Sequence, residues 1–161
     1  MLALIIVPTY NEVENLQPFL HQVLSLTPPE VEALVVDDDS PDGTGKLVRS
    51  LKKENPRIHL LERREKLGLG SAYVVGFKWG IAREYSVVIE MDADFSHDPK
   101  YLQPMLDYLK RYDFVIGSRY VKGGGTVNWS LFRKFISRAG NFYARAMLGA
   151  PISDFTGGFN G

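Results

Sequence analysis

Short apolar runs alternate with longer amphipathic stretches along most of the chain. Five of the runs are four to six residues long, and most of them are rich in β-branched residues. The run at residues 2–7 is continuously apolar, which is typical of a strand that is buried on both faces of a parallel sheet. We predict such strands at residues 2–7, 31–36, 58–61, 87–91 and 113–117.

The stretches between these runs place apolar residues three and four positions apart, as on one face of a helix. We predict helices at residues 13–26, 44–54, 68–82, 101–110 and 129–148. Strands alternate with helices over the first 118 residues, and this alternation predicts right-handed βαβ units. The expected fold class is therefore α/β, with a mostly parallel sheet that carries helices on both faces.

Polar residues directly follow four of the predicted strands. In open parallel sheets, ligands bind outside the carboxyl ends of the strands. We therefore predict that these polar segments meet in one ligand site. The segments are residues 9–12, 37–40, 92–96 and 118–119.

Composition narrows the classes of function. The 161 residues are enough for one domain with its own core. The formal net charge of zero gives no reason to expect a nucleic-acid partner. The absence of cysteine excludes disulfides and thiolate zinc sites, and it favours a reducing compartment. The apolar residues 1–7 are too few for a signal peptide or a membrane span, and no other run approaches that length.

The charges are distributed unevenly along the chain. Acidic side chains cluster at residues 37–42 and again at residues 90–98. A metal-bound diphosphate would need the acidic groups, and an anionic acceptor would need basic ones. Six basic side chains and no acidic one lie between residues 119 and 153, namely Arg119, Lys122, Arg133, Lys134, Arg138 and Arg145.

Asp92 and Asp94 are candidate metal ligands at the end of the fourth predicted strand. Side chains two positions apart on an extended chain point the same way, so the two carboxylates would repel each other unless a cation lay between them. Hard oxygen ligands suit Mg2+ or Mn2+, which one or two carboxylates usually hold together with substrate phosphates. The alternative is a solvated turn before a helix that starts near Asp98.

Other polar residues are candidates for binding a nucleotide. Asp38 is suited to accept hydrogen bonds from the edge of a nucleobase, and the alternative is that it caps a helix. Tyr10 and Glu12 suit contacts to base and ribose, although Tyr10 is equally compatible with a packed aromatic. Arg119 is suited to bind a phosphate through two hydrogen bonds, and the alternative is that it is an ordinary surface arginine. We expect His97 to be a polar loop residue. Because no glycine-rich phosphate loop is present, a diphosphate would rely on a metal and basic side chains.

The last predicted helix has an apolar side and a basic side. Basic amphipathic helices often lie on anionic membrane surfaces. The alternative is a helix packed on the core, with its basic face in solvent. The apolar side comprises Leu131, Phe132, Phe135, Ile136, Ala139, Phe142 and Tyr143, and the basic side comprises Arg133, Lys134, Ser137, Arg138, Asn141 and Arg145.

Five segments occur in an order that resembles a known family. They are PTYNE (8–12), DDDSPDGT (37–44), GLGSAY (68–73), DADFSHDP (92–99) and GSRY (117–120). Together they resemble the family 2 glycosyltransferases of the polyprenyl-phosphate or dolichyl-phosphate mannose synthase type. The resemblance implies a single GT-A catalytic domain over residues 1–161. Because residues 154–161 resemble the start of a late family motif, we expect the family sequence to continue past residue 161.

The resemblance also implies an activity and a set of site residues. Mannose would pass from GDP-mannose to a polyprenyl or dolichyl phosphate, with inversion, at the cytoplasmic face of a membrane that the protein binds peripherally. Asp92 and Asp94 would bind Mg2+ or Mn2+, while Ser96 stands where some relatives have a metal-binding glutamine. Asp94, Arg119 and Asp154 would be catalytic. The nucleotide sugar would be held by Pro8, Tyr10, Glu12, Val36, Asp38, Asp92, Ala93, Arg119 and Arg133.

Other functions remain open from the sequence. One is a transferase that uses UDP-glucose or UDP-GlcNAc with a lipid phosphate or a sugar as acceptor. A nucleotidyltransferase would share the metal and the acidic strand ends, but it would normally carry a basic glycine-rich loop after the first strand. A non-catalytic module that binds lipid surfaces belongs to a different class. The oligomeric state is not indicated by the sequence.

Overall fold

A parallel sheet forms the centre of the computed structural model, which describes residues 1–121, 123–126, 129–150 and 152–161. In these residues the strands are β1 (Ala3–Thr9), β2 (Val31–Asp37), β3 (Ile58–Glu62) and β4 (Val87–Glu90). Their order across the sheet is β3-β2-β1-β4, and every neighbouring pair is parallel. The first four predicted strands and the α/β class are confirmed.

Helices cover both faces of the sheet, as predicted. They are α1 (Val13–Ser25), α2 (Thr44–Glu54), α3 (Leu69–Ile81), α4 (Leu102–Leu109) and α5 (Leu131–Leu148), and a single 3-10 turn (Pro99–Tyr101) leads into α4. The predicted bounds of all five helices are correct to within two residues.

The apolar run of β1 is continuous because both faces of the sheet are buried there. Ala3, Ile5 and Val7 of β1 belong to the hydrophobic cluster that includes α1, α2 and α4. Leu4 and Ile6 of the same strand belong to a second cluster with α3. Since successive side chains of a strand point to opposite faces, a stretch that is buried on both faces has apolar residues at successive positions.

Glycine allows α3 to approach the sheet closely. A Cβ atom at Gly76 would lie 2.6 Å from the Ile6 side chain, and one at Gly80 would lie 3.1 Å from Leu4. The first turns of α3 therefore lie against the carboxyl ends of the strands, where the buried Tyr73 reaches the polar segments.

Residues 113–117 do not form the predicted fifth strand. In the part of the chain that the structure describes, Ile116 makes an isolated antiparallel bridge to Asn160. Asn160 also bridges Glu90, so residues 159–161 lie between β4 and this run. The prediction was wrong because the run pairs with a short, distant, antiparallel segment instead of extending the parallel sheet through β4.

Arg57 connects the end of α1 to the start of β2. Its guanidinium donates hydrogen bonds to the carbonyls of Val31 (2.8 Å), Leu24 (3.0 Å) and Pro28 (2.9 Å), and to the Thr27 hydroxyl (3.1 Å). Burial lowers the pKa of Arg57, while the charge of Glu32 opposes that shift. One side chain thus satisfies three backbone carbonyls in a connection that contains two prolines.

Replacement of Arg57 by methionine is expected to lower the free energy of unfolding by about 2–3 kcal/mol, because the carbonyls lose a charged donor. Denaturant unfolding followed by circular dichroism measures the change. Arg49→Met is the matched control: Arg49 bonds the exposed Glu62 (2.8 Å), and such a pair contributes about 0–1 kcal/mol. Equal losses in the two variants would contradict the structural role assigned to Arg57.

Candidate active site

A cleft of about 280 Å³ opens at the carboxyl ends of β1, β2 and β4. Seven of the residues predicted to bind a nucleotide sugar or a metal line it, so the structure brings them together. The lining residues are Pro8, Thr9, Tyr10, Glu12, Asp38, Lys66, Gly68, Leu69, Ala72, Asp92, Ala93 and Asp94. Val36 is fully buried beneath this edge in the cluster with α3.

Hydrogen bonds fasten the loop after β1 to the loop after β2. The Thr9 hydroxyl donates to Asp37 (2.8 Å), whose carboxylate also accepts from the Ser40 hydroxyl (2.6 Å). The backbone N–H of Asn11 donates to the Ser40 hydroxyl (3.0 Å), and that of Glu12 donates to the Thr44 hydroxyl (3.1 Å). The polar segments after these strands therefore form one connected wall of the cleft.

Asp38 is buried and bonded to protein donors on both of its oxygens. Oδ1 accepts from the Arg63 guanidinium, and Oδ2 accepts from the backbone N–H groups of Leu67 (3.1 Å) and Gly68 (3.0 Å). At the start of α2 it is Asp42, not Asp38, that accepts from the Thr44 N–H (2.9 Å). In this structure Asp38 holds residues 63–68 at the edge of the cleft, and its contact with a base stays a prediction.

Tyr10 stands at the mouth of the cleft instead of packing in the core. Its side chain is 38% exposed, and the Lys66 ammonium lies 3.7 Å from the centre of its ring. Lys66 was missed by sequence reasoning, because it lies in a charged loop that has no periodic pattern. It adds a positive charge to a cleft whose lining also includes the carboxylates of Glu12, Asp38, Asp92 and Asp94.

The carboxylate of Asp92 is held by a residue from another element. The Tyr73 hydroxyl on α3 donates to Oδ1 of Asp92 at 2.8 Å, and the Asp92 backbone N–H donates to Nδ1 of His97 at 3.2 Å. Burial raises the pKa of Tyr73 and the nearby Asp92 charge adds to that shift, so the hydroxyl stays protonated. Sequence reasoning missed Tyr73, although it ends one of the segments that carry the family resemblance.

Asp94 is fixed by its own loop. Its Oδ1 accepts hydrogen bonds from the Ser96 backbone N–H (2.9 Å) and from the Ser96 hydroxyl (2.5 Å). Burial alone would raise the pKa of Asp94, but these hydrogen bonds and the neighbouring His97 hold it below its usual range. Asp94 is therefore ionised at neutral pH.

Two carboxylates of the cleft, those of Asp92 and Asp94, can bind a cation, but the described residues do not surround it with protein ligands. Over the described ranges, no group of three or more His, Cys, Asp or Glu side chains is arranged to hold a metal ion. Mg2+ and Mn2+ are usually held by one or two carboxylates together with substrate phosphates. Asp92 and Asp94 fit a cation that is shared with a diphosphate. His97 is partly buried with its ring stacked on Phe159 (centroids 5.4 Å apart), and burial lowers its pKa despite the nearby Asp92 and Asp94.

Arg119 and Asp154 form a bidentate pair outside the cleft. Arg119 donates from Nε to Oδ2 (2.8 Å) and from Nη2 to Oδ1 (2.6 Å), and Nη2 also donates to the Thr156 hydroxyl (2.7 Å). The Asp154 side chain has no exposed surface, whereas that of Arg119 is 20% exposed. Arg119 is therefore not an ordinary surface arginine.

The pairing decides what Asp154 can do chemically. Burial would raise the pKa of Asp154, but the hydrogen bonds and charge of Arg119 hold it below its usual range. A carboxylate with a lowered pKa and with both oxygens bonded is a poor proton acceptor. Its geometry suits the orientation of Arg119 better than general-base chemistry.

A second cavity, of about 330 Å³, lies between α5 and the segment that follows Ile116. Arg119, Lys134 and Arg138 make it basic, while Arg133 instead places its guanidinium 4.2 Å from the centre of the Trp129 ring. Lys122 lies outside the described residues. The cavity is lined by Arg119, Tyr120, Gly124, Gly125, Thr126, Lys134 and Arg138.

The apolar side of α5 is exposed. The structure therefore does not show the alternative of a helix packed on the core, and in α5 it is the polar Asn141 that is buried. None of the described helices is both long enough and apolar enough to cross a bilayer. The exposed apolar side chains, each at least half exposed, are Leu131, Phe132, Phe135, Ile136, Phe142, Tyr143, Met147 and Leu148.

Residues 154–161 contact both parts of the candidate site. Asp154 binds Arg119, and Phe159 stacks on His97 and accepts a hydrogen bond from Gly117 N–H (2.7 Å) through its carbonyl. The approach at Gly117 is so close that a Cβ atom there would lie 2.3 Å from the Phe159 ring. This segment, which we call the connecting segment, joins the acidic cleft to the basic cavity.

Comparison with known sequences supports the resemblance. The family described as Glycosyl transferase family 2 matches residues 4–161. An undecaprenyl-phosphate mannosyltransferase from Micrococcus luteus is 49% identical over 159 residues, which are 99% of this chain and 65% of that protein. A polyprenol monophosphomannose synthase from Mycolicibacterium smegmatis is also 49% identical over 159 residues, 98% of this chain and 60% of that protein. The chain thus spans less than two thirds of these relatives.

Comparison with solved structures confirms the GT-A fold. Glucosyl-3-phosphoglycerate synthase from Mycobacterium tuberculosis superposes with a TM-score of 0.65 over 98% of this chain and 55% of its own, at 17% identity. The mannosyltransferase PcManGT from Pyrobaculum calidifontis, solved with GDP-Man and Mn2+, has a TM-score of 0.53 and 30% identity. That match covers 58% of this chain and 27% of the other.

Proposed function

Because the chain belongs to glycosyl transferase family 2, we propose that it contributes the catalytic domain of a mannosyltransferase, which moves mannose from GDP-mannose to a polyprenyl phosphate. The observation that carries the proposal is the 49% identity to two proteins named for mannosyl transfer to polyprenyl carriers. The acidic cleft and the basic cavity give this chain one place for a metal-bound nucleotide sugar and another for an anionic acceptor.

The acidic cleft is assigned to the nucleotide sugar. Tyr10 and Glu12 stand where a nucleoside would enter, and Asp92 and Asp94 stand where its diphosphate would meet a cation. The neighbour solved with GDP-Man and Mn2+ supports this donor and a divalent metal, Mg2+ or Mn2+. A cation bound by Asp92 and Asp94 would neutralise charge that builds on the leaving diphosphate.

The basic cavity is assigned to the acceptor phosphate. Arg119, Lys134 and Arg138 supply positive charge there, and the buried Asp154 fixes the orientation of Arg119. Inversion needs a single in-line attack by the acceptor oxygen on the anomeric carbon. A phosphate acceptor is already ionised at neutral pH, so the reaction needs no general base, in agreement with the lowered pKa of Asp154.

The exposed side of α5 is assigned to the surface of the membrane that carries the acceptor. Its apolar residues are uncovered, and the basic residues Lys134 and Arg138 of the same helix line the cavity assigned to the phosphate. Amphipathic helices of this kind bind in the plane of an anionic membrane surface. Peripheral binding at the cytoplasmic face is part of the proposal.

Calorimetric titration in the presence of Mn2+ is expected to show that GDP binds at least about tenfold more tightly than UDP, because the two bases present different hydrogen-bonding edges. Transfer is then measured with radiolabelled GDP-mannose and undecaprenyl phosphate in vesicles of phosphatidylcholine and phosphatidylglycerol. Label is expected in the lipid fraction.

Each other outcome supports a different function. Tighter binding of UDP would indicate a UDP-sugar transferase. Vesicle binding without nucleotide affinity would indicate the non-catalytic lipid-surface module. Nucleotide binding without transfer in the presence of vesicles would contradict the acceptor assignment.

A further inference from the structure

We propose that Tyr73 is a positioning residue that orients Asp92 for the divalent cation of the donor site. The inference rests on the proposed function, because it assumes that Asp92 binds a cation. Its structural basis is the 2.8 Å hydrogen bond from the Tyr73 hydroxyl to Oδ1 of Asp92. Tyr73 itself is 7% exposed, and its ring stacks on Phe77 with centroids 6.4 Å apart.

A site with two protein ligands depends strongly on how each ligand is held. An unrestrained carboxylate can rotate about its side-chain bonds, and binding a cation would cost that freedom. Asp94 is restrained within its own loop by Ser96, whereas Asp92 is restrained by α3, across the sheet edge. Residues that hydrogen-bond a metal ligand typically change metal affinity by 10–100-fold when they are removed.

The restraint on Asp92 also links the metal site to the core. Tyr73 can reach Asp92 because Gly76, one turn further along, allows α3 to lie against Ile6. The hydroxyl occupies Oδ1 of Asp92, and Oδ2 lies near Gly158, where an added Cβ atom would be 3.6 Å away. The backbone N–H of Asp92 is bonded to His97, so the residue is held at both its main chain and its side chain.

Tyr73→Phe removes this hydroxyl and keeps the packed ring, so the fold is expected to persist. Free Mn2+ is measured by electron paramagnetic resonance during titration of the protein with saturating GDP. The Kd for Mn2+ is expected to rise about tenfold in the variant. The affinity for GDP measured in EDTA is expected to stay within twofold of wild type, because Tyr73 acts through the cation ligand.

Tyr85→Phe is the matched control. Tyr85 also donates its hydroxyl to a carboxylate, that of Glu32 at 2.5 Å, but at the amino ends of the strands, away from the cleft. Tyr85→Phe removes the same chemical group, so it shows whether the loss of a tyrosine hydroxyl changes the Kd for Mn2+ merely by destabilising the fold. Melting temperatures of both variants are recorded, and the Kd for Mn2+ of Tyr85→Phe is expected to match wild type.

A second variant tests whether Tyr73 acts through Asp92. In an Asp92→Ala background, which removes both the cation ligand and the acceptor of the Tyr73 hydrogen bond, Tyr73→Phe is expected to change the Kd for Mn2+ by less than twofold. A full tenfold effect in that background would overturn the proposal. So would an unchanged Kd in Tyr73→Phe alone, or equal effects of Tyr73→Phe and Tyr85→Phe. If wild-type protein binds neither GDP nor Mn2+ in the presence of GDP, the proposed function itself fails. If it binds both and Tyr73→Phe leaves the Kd for Mn2+ unchanged, only the role of Tyr73 fails.

Discussion

Replacement of Asp92 or of Asp94 by asparagine is expected to reduce mannosyl transfer by on the order of a hundredfold or more, because charge stabilisation by a metal ion contributes several kcal/mol. Asparagine keeps an oxygen that accepts from Tyr73 or from Ser96, so the local hydrogen bonds survive. What the substitution removes is the negative charge that attracts the cation. The dependence of GDP binding on added Mn2+ is expected to weaken in parallel.

Asp107→Asn is the matched control for these two variants, since Asp107 lies on α4 and pairs with the exposed Lys110. Its transfer rate is expected to equal that of wild type. The rate is measured over a Mn2+ titration, so that weakened metal binding is separated from loss of the fold. Unchanged metal dependence in both Asp92→Asn and Asp94→Asn would contradict the assignment of these residues as ligands.

Replacement of Arg119 by methionine is expected to lower the free energy of unfolding by about 3–5 kcal/mol, because it leaves the buried Asp154 carboxylate without its partner. Asp154→Leu is expected to cost less, since the Arg119 guanidinium is partly exposed and water can solvate it. The double variant is expected to be more stable than Arg119→Met alone. Denaturant unfolding of all three gives the coupling between the residues.

The same pair predicts a dependence on pH. In wild type the lowered pKa of Asp154 contributes stability above its unfolded value of about 3.9, and that stability is lost as the pH falls. Without Arg119, burial raises the pKa of Asp154, so the variant instead loses stability as the pH rises through about 4. The stability difference between wild type and Arg119→Met is therefore expected to be larger at pH 7 than at pH 4. Equal differences would show that Asp154 is not ionised in the native pair.

The sequence was sufficient for those parts of the fold that depend on local pattern. Buried parallel strands produce continuous apolar runs, and parallel strand ends meet at one edge, so Tyr10, Asp38 and Asp92 could be placed in one cleft. The run at 113–117 has the same local pattern, but its partner lies near residue 160. Pairing over such a distance leaves no periodic signal in the sequence.

The parts of the site that sequence reasoning missed depend on tertiary contacts. Tyr73 looks like one more apolar position of α3, and its role becomes visible only where its hydroxyl meets Asp92. Asp38 looked available to a base, yet both of its oxygens are bonded to residues 63–68. The sequence did not decide whether the apolar side of α5 is exposed, for the same reason. An amphipathic pattern shows which side is apolar but not what covers it.

The connecting segment has a consequence for how the molecule folds. The sheet is complete within residues 3–90, where β1 pairs with β4, whereas the hydrogen bond from Asn160 to Glu90 (2.8 Å) needs a residue that is synthesised 70 positions later. Ala3 of β1 and Val87 of β4 pair over an even longer separation, so loop length does not order these two steps. The order of synthesis does, because folding during synthesis starts from the amino-terminal part of the chain. The sheet can therefore assemble before the connecting segment docks, and Arg119 acquires its partner Asp154 only in that last step. A nascent chain would hold a formed nucleotide cleft while its acceptor cavity is still unmade.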